Sequence, residues 1–163
     1  MNEIESPTAG QGRRIAIAVA RFNMEITDML LSGCRASLTD QGVADRDITV
    51  VRVPGAWELP LVCRQLADRG CFDAVIALGA VVRGETAHFE FISGECAHGL
   101  QQVSLTTGVP VAFGVLTPET GDQARDRADP ARKNKGREAA LAALEMAGLR
   151  DQIGLIGSTS SGT

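Results

Sequence analysis

Nine consecutive residues, 74–82 (AVIALGAVV), carry no charged or hydrogen-bonding side chain. A strand that is apolar on both sides must be covered on both faces, which is the environment of a central parallel strand. Parallel neighbours need crossover connections of a dozen or more residues, and the intervening segments are long enough to supply them as helices. Three further runs read as strands: residues 15–20 (IAIAVA), 48–53 (ITVVRV) and 109–116 (VPVAFGVL), the last with Pro110 near its start. The spacing predicts a helix over 23–41, with Ile26, Met29, Leu30, Cys34, Ser37 and Leu38 in phase and Gly42 at the position after its cap. A second helix turns Leu59, Val62, Leu66 and Ala67 inward and ends at Gly70. A third covers 88–107, with Phe91, Ile92, Glu95, Leu100 and Val103 on one side. Two shorter pieces follow, about 120–127 and 134–146, separated by Asp129 and Pro130 and closed by Gly148. Four alternations of strand and helix predict a three-layer αβα sandwich around a four-stranded parallel sheet.

At 163 residues the chain suits one domain, expected over 13–150, with a flexible leading segment over 1–12 and a mobile tail over 151–163. The net charge of −4 provides no global positive field, so nucleic acid is not an expected partner. Aromatic residues make up only 4%, with no Tyr, which removes the usual stacking platform for RNA bases. Residues 1–12 have neither a basic start nor an apolar stretch, and no apolar run approaches the ~18 residues of a membrane span. Cysteines 34, 63, 71 and 96 lack the paired short spacings of zinc or disulfide frameworks. A cytoplasmic protein with reduced thiols, no membrane partner and no metal is the expectation.

In open α/β sheets ligands bind beyond the carboxyl ends of the strands. The residues there are Arg21, Phe22 and Asn23 after the first strand, and Pro54, Gly55, Ala56, Trp57 and Glu58 after the second. The segment from Arg83 to His88 follows the third, while the fourth itself carries Phe113 and Gly114. The chain's single Trp, two of its five Phe and one of its two His fall in this set.

Residues 79–86 (GAVVRGET) follow the spacing of a nucleotide-binding P-loop, but Glu85 stands where that loop needs a lysine. A carboxylate there repels a triphosphate. The Gly84-Glu85-Thr86 turn entering a helix still has the free N–H groups that hold one phosphate, with the Thr86 hydroxyl beside them; Thr86 reads equally as a plain helix cap. His88 opens that helix, where the positive helix end favours a neutral imidazole base. A competing reading is a metal at His88, Glu95 and His98, although His98 is turned off the face the other two share and no recognised ligand spacing appears. The run 125–137 (RDRADPARKNKGR) is basic in an acidic protein, and Lys133, Lys135 and Arg137 crowd a helix start, where cations oppose the dipole. Their compensating anion is a carboxylate of this chain, one of a neighbour, or a substrate phosphate.

The segments ARFN (20–23), VPGAWE (53–58), LGAVVRGETAHF (78–89), FGVLT (113–117) and NKG (134–136) occur in an order that resembles the 6,7-dimethyl-8-ribityllumazine synthase family. The resemblance spans roughly residues 14–149 and implies a flavodoxin-like fold. It implies a cofactor-free condensation of 5-amino-6-(D-ribitylamino)uracil with 3,4-dihydroxy-2-butanone 4-phosphate, releasing phosphate and water in riboflavin biosynthesis. Phe22 and Asn23 then belong to the pyrimidine site, with Phe22 stacked on the ring. Ala56, Trp57 and Glu58 line the ribityl pocket, and Ala80, Val81 and Val82 offer backbone groups to the uracil edge. Gly84, Glu85 and Thr86 form the phosphate turn, with Arg127 of the same chain as its fork donor, and His88 moves protons. Phe113 and Lys135 reach in from an adjacent subunit of a homopentamer, which in the family also builds decamers or sixty-subunit shells. Trp57 stands where members often have Phe. Ala131 stands where a lysine is usual, with Arg132 and Lys133 beside it. The competing reading is a domain of this fold that binds a flavin or lumazine without turnover.

Overall fold

The computed structural model describes residues 1–158. Its strands are β1 (Ile15–Ala20), β2 (Ile48–Val53), β3 (Ala74–Ala80) and β4 (Val111–Leu116). Its helices are α1 (Met24–Asp40), α2 (Leu59–Ala67), α3 (His88–Thr107), α4 (Gly121–Ala128) and α5 (Lys135–Gly154). All strand pairs are parallel, in the order β2-β1-β3-β4, so the two most apolar strands occupy the centre.

Side-chain alternation gives the sheet two unlike faces. Ile15, Ile17, Val19, Ile76 and Leu78 face α1 and α5, where Leu30, Cys34, Leu38, Ala140 and Leu144 complete one core. Ala16, Ala18, Ala20 and Ala77 face α2 and α3. These small residues let Leu59, Cys63, Cys96, Leu100 and Val103 approach the sheet closely. On the first face α1 and α5 meet almost backbone to backbone: a Cβ on Gly136 would lie 2.1 Å from the Leu30 carbonyl oxygen.

Several boundaries differ from expectation. Strand β3 stops at Ala80, not Val82, although Val81 N–H still donates to Leu116 O (2.8 Å) and Arg83 N–H to Pro118 O (3.0 Å). Strand β4 starts at Val111 because Pro110 has no N–H to give; its carbonyl accepts from Val75 instead (2.9 Å). The buried stripe of α3 is Phe89, Cys96, Leu100 and Val103, with Ile92 half-buried between them, which leaves Phe91 and Glu95 exposed. The α2 face turned inward is Leu59, Cys63 and Ala67, with Val62 and Leu66 on its flanks.

Gly148 does not close α5, which continues to Gly154, so the first four residues of the expected tail are helical and 159–163 lie outside the described residues. Gly148 instead makes room for the leading segment: a Cβ there would meet the Ser6 hydroxyl. Residues 1–12 form no helix or strand, and three of them hydrogen-bond to the rest of the chain. Gly10 N–H donates to Gln41 O (2.9 Å), Thr8 Oγ1 donates to Gln41 Oε1 (2.7 Å), and Gln152 Nε2 donates to Glu5 O (3.0 Å).

Candidate active site

Beyond the carboxyl ends of β1, β2 and β3 the chain forms a pocket of about 570 Å³. Phe22, Ala56, Trp57, Glu58, Ala80, Val81, Val82, Gly84, Thr86 and His88 line it, together with Pro54, Gly55, Phe89 and Ile92. The first ten are residues expected from the sequence. Phe89 and Ile92 enter because the buried stripe of α3 begins at its first turn and forms the pocket wall.

The pocket is held by backbone contacts between strand ends. Phe22 N–H donates to Pro54 O (3.0 Å), fixing the first aromatic against the β2 turn. Asn23 adopts a left-handed conformation (φ 59°), and its Nδ2 donates to Ala80 O at 2.9 Å, joining β1 to β3. Asn23 is thus a brace beneath the pocket and does not line it. Glu58 Oε2 accepts the Gly55 N–H (2.9 Å), which orients the carboxylate and leaves its other oxygen for a ligand. Among the three backbone units expected to meet a heterocycle, the Ala80 carbonyl is taken by Asn23 and the Val81 N–H by Leu116. The Val82 N–H and carbonyl and the Val81 carbonyl have no protein partner among the described residues. That pattern suits an amide-edged ring.

The Gly84–Thr86 turn leads directly into α3. Thr86 Oγ1 accepts the His88 N–H at 3.4 Å, longer than an ordinary hydrogen bond, and Ala87 at the cap position makes no side-chain bond. A simple capping role therefore accounts poorly for Thr86, which lines the pocket. Glu85 is exposed and is not among the lining residues. Arg83 does not face the turn either: its guanidinium pairs with Glu90 and with Glu119 (2.8 Å) and lies 4.4 Å over the Phe89 ring. The Arg83 hydrogen bond holds the Glu90 carboxyl below its ordinary value.

Phe113 and Lys135 lie elsewhere, together. They line a separate groove of about 340 Å³ between β4 and α5, where Lys135 Nζ pairs with Glu138 (2.8 Å). Phe113 sits mid-strand opposite Ala77, not at the strand end, and half of its side chain is exposed. Arg127 is carried by α4 and is not among the residues that line this pocket.

The anions that compensate the basic run are largely the chain's own. Asp126 and Asp129 pair with Arg132, Asp126 also pairs with Lys133, and Glu25 and Asp122 pair with Arg125. Lys133 holds the Asp126 carboxyl below its usual range. In this run Arg127 and Arg137 have no carboxylate partner among the described residues; Arg127 Nη1 donates only to the Gln123 carbonyl (3.3 Å). No three His, Cys, Asp or Glu residues among those described cluster as metal ligands, and no described helix is long and apolar enough to cross a membrane.

A parallel sheet with its pocket at a carboxyl edge, aromatic side chains lining it and an imidazole beside a helix-entry turn define a flavodoxin-like α/β domain. The profile of the 6,7-dimethyl-8-ribityllumazine synthase family matches residues 12–151. A protein of Edwardsiella ictaluri (strain 93-146) named 6,7-dimethyl-8-ribityllumazine synthase is 58% identical over 147 residues, covering 90% of this chain and 94% of that protein. The chain belongs to the 6,7-dimethyl-8-ribityllumazine synthase family.

Proposed function

We propose that the chain makes 6,7-dimethyl-8-ribityllumazine in this pocket, and that a neighbouring copy completes it. As a member of its family the chain is a transferase of riboflavin biosynthesis that condenses 5-amino-6-(D-ribitylamino)uracil with 3,4-dihydroxy-2-butanone 4-phosphate, releasing phosphate and water. Phe22 stacks on the pyrimidine, the free Val82 amide meets its edge, and the free Glu58 oxygen accepts from the ribityl hydroxyls. The open amides of the Gly84–Thr86 turn and the Thr86 hydroxyl receive the phosphate. His88, one turn away, moves protons as the imine forms, phosphate leaves and the second ring closes.

The observation that carries the shared site is the separation of two half-sites on one chain. Phe22 and Trp57 are 71% and 57% exposed, so a single chain leaves the ring site open. Phe113 and Lys135 line a groove on the β4 edge, and Leu105, Met146 and Ile153 expose a further apolar channel of about 610 Å³ along the same edge. Apolar surface of this kind favours burial against another copy, and a head-to-tail interface must close into a ring. The ring is the family's pentamer, with Phe113, Lys135 and the unpaired Arg127 serving the next chain's pocket. A reducing, cytoplasmic setting suits four free cysteines, three of them buried. The test is incubation of the purified protein with both substrates, reading lumazine formation and phosphate release. Equimolar appearance of the two is expected; binding of the pyrimidine without turnover would contradict the reading.

A further inference from the structure

We propose that Arg83 is a positioning residue that staples the phosphate turn in its binding shape. This inference rests on the assignment of the turn in the preceding section and concerns what holds it. Arg83 stands at the start of the turn and Phe89 and Glu90 at its end, with Gly84 through His88 between them. Its guanidinium reaches across that span to Glu90 and covers the Phe89 ring at 4.4 Å. The same group binds Glu119 (2.8 Å) in the loop ahead of α4, while Arg83 N–H donates to Pro118 O (3.0 Å). One side chain therefore joins both ends of the turn to the β4–α4 loop.

The turn needs such a staple because it has little structure of its own. Gly84 has open space around its Cα, and Thr86 makes only a long contact to the His88 amide. Residues 84–88 are all exposed. Open amides bind an anion well only when they are already aimed at it. Arginine suits the task because its planar fork serves two carboxylates while its face stacks on a ring, which an ammonium cannot do. Exposed ion pairs contribute little to folding, so removing this one leaves the fold intact and the turn loose.

The experiment measures the KM of each substrate in Arg83→Gln, Arg83→Lys, Glu119→Gln and their combinations, with Arg127→Ala as reference for the phosphate site. Arg83→Gln raises the KM for the butanone phosphate roughly tenfold and that for the pyrimidine by less than about twofold, in the range of couplings between contacting residues. Arg83→Lys recovers part of the loss. Glu119→Gln raises the same KM, and adds nothing once Arg83 is Gln. The sign for Glu119 is decisive: if Arg83 acted only as a positive charge attracting phosphate, deleting the nearby carboxylate would lower that KM, and this result would overturn the staple. An unchanged phosphate KM in Arg83→Gln, with Arg127→Ala still impaired, overturns the staple and leaves the site assignment standing. Unchanged values in both variants overturn both. Should Arg83→Gln fail to fold, Glu119→Gln alone still decides by its sign.

Discussion

The amide of Asn23 donates to the carbonyl of Ala80 across 2.9 Å, so the first residue of the α1 entry and the last residue of β3 are one mechanical unit beneath the pocket. Two neighbours of that bond, Phe22 and Val81, line the pocket directly. Asn23→Ala removes the bond and forces an alanine to hold φ 59°. The expected cost is about 1 to 2 kcal/mol of stability, with a weaker pyrimidine site and an unchanged phosphate site. Thermal unfolding and substrate titration check this; equal weakening of both substrates would contradict it.

His88→Ala should lower turnover roughly tenfold to a thousandfold, since general acid–base catalysis contributes about 10²- to 10⁴-fold and water or the substrate phosphate replaces part of it. Pyrimidine affinity should change little, because Phe22, Glu58 and Val82 carry the binding. Stopped-flow turnover with separate binding titrations distinguishes the two effects. Unaltered turnover removes His88 from the chemistry.

Gly136→Ala tests the α1–α5 seam. The added Cβ would meet the Leu30 carbonyl at 2.1 Å and the Cys34 amide at 3.0 Å, both backbone atoms that no rotamer change can move. Helix separation is required, and the expected destabilisation is about 1 to 3 kcal/mol, at the scale of overpacked cores. A lowered denaturant midpoint with intact far-UV circular dichroism is the expected outcome.

Burial pushes the thiols of Cys34 and Cys63 up to about 12 and that of Cys96 to about 11, from an ordinary 9.0. The reactive form is the thiolate, so at pH 8 roughly one Cys34 or Cys63 side chain in ten thousand is ionised. Under native conditions Cys71, half-buried, should be alkylated first, and the other three only on unfolding. The linkage has a definite sign. Between pH 9 and 12 the unfolded chain has released these protons while the folded chain retains them, so stability is full below about 9 and falls as pH rises. A melting temperature that rises across that window would contradict the assignment.

Much of this was legible in the residues themselves. The apolar run at 74–82 marked the central strand, and residues after the first three strands are among those that line the pocket, whereas Asn23, Glu85, Arg127, Phe113 and Lys135 are not. The rest required three dimensions for specific reasons. Phe91 reads as inward by hydrophobicity, yet the helix phase set by Phe89 and Cys96 turns it to solvent. Asn23 is a candidate from its place after the first strand and from the resemblance, and its left-handed backbone aims its amide at the Ala80 carbonyl. Gly148 reads as a helix stop, but it accommodates Ser6 from the far end of the chain. Arg83 and Glu119 meet only because β3 and β4 are sheet neighbours, which no local pattern records.

The shared site is tested most directly by subunit complementation. His88→Ala and Lys135→Ala chains, each of low activity, are mixed in equal amounts, unfolded together and refolded. In a head-to-tail ring a pocket is intact wherever a chain with His88 is followed by a chain with Lys135, so about a quarter of the sites should recover by random assembly. Mixing His88→Ala with Trp57→Ala, both on the same half-site, should recover nothing. Recovery to about a quarter in the first mixture and none in the second is the predicted result; no recovery in the first, from rings that assemble normally, would contradict a pocket built from two chains.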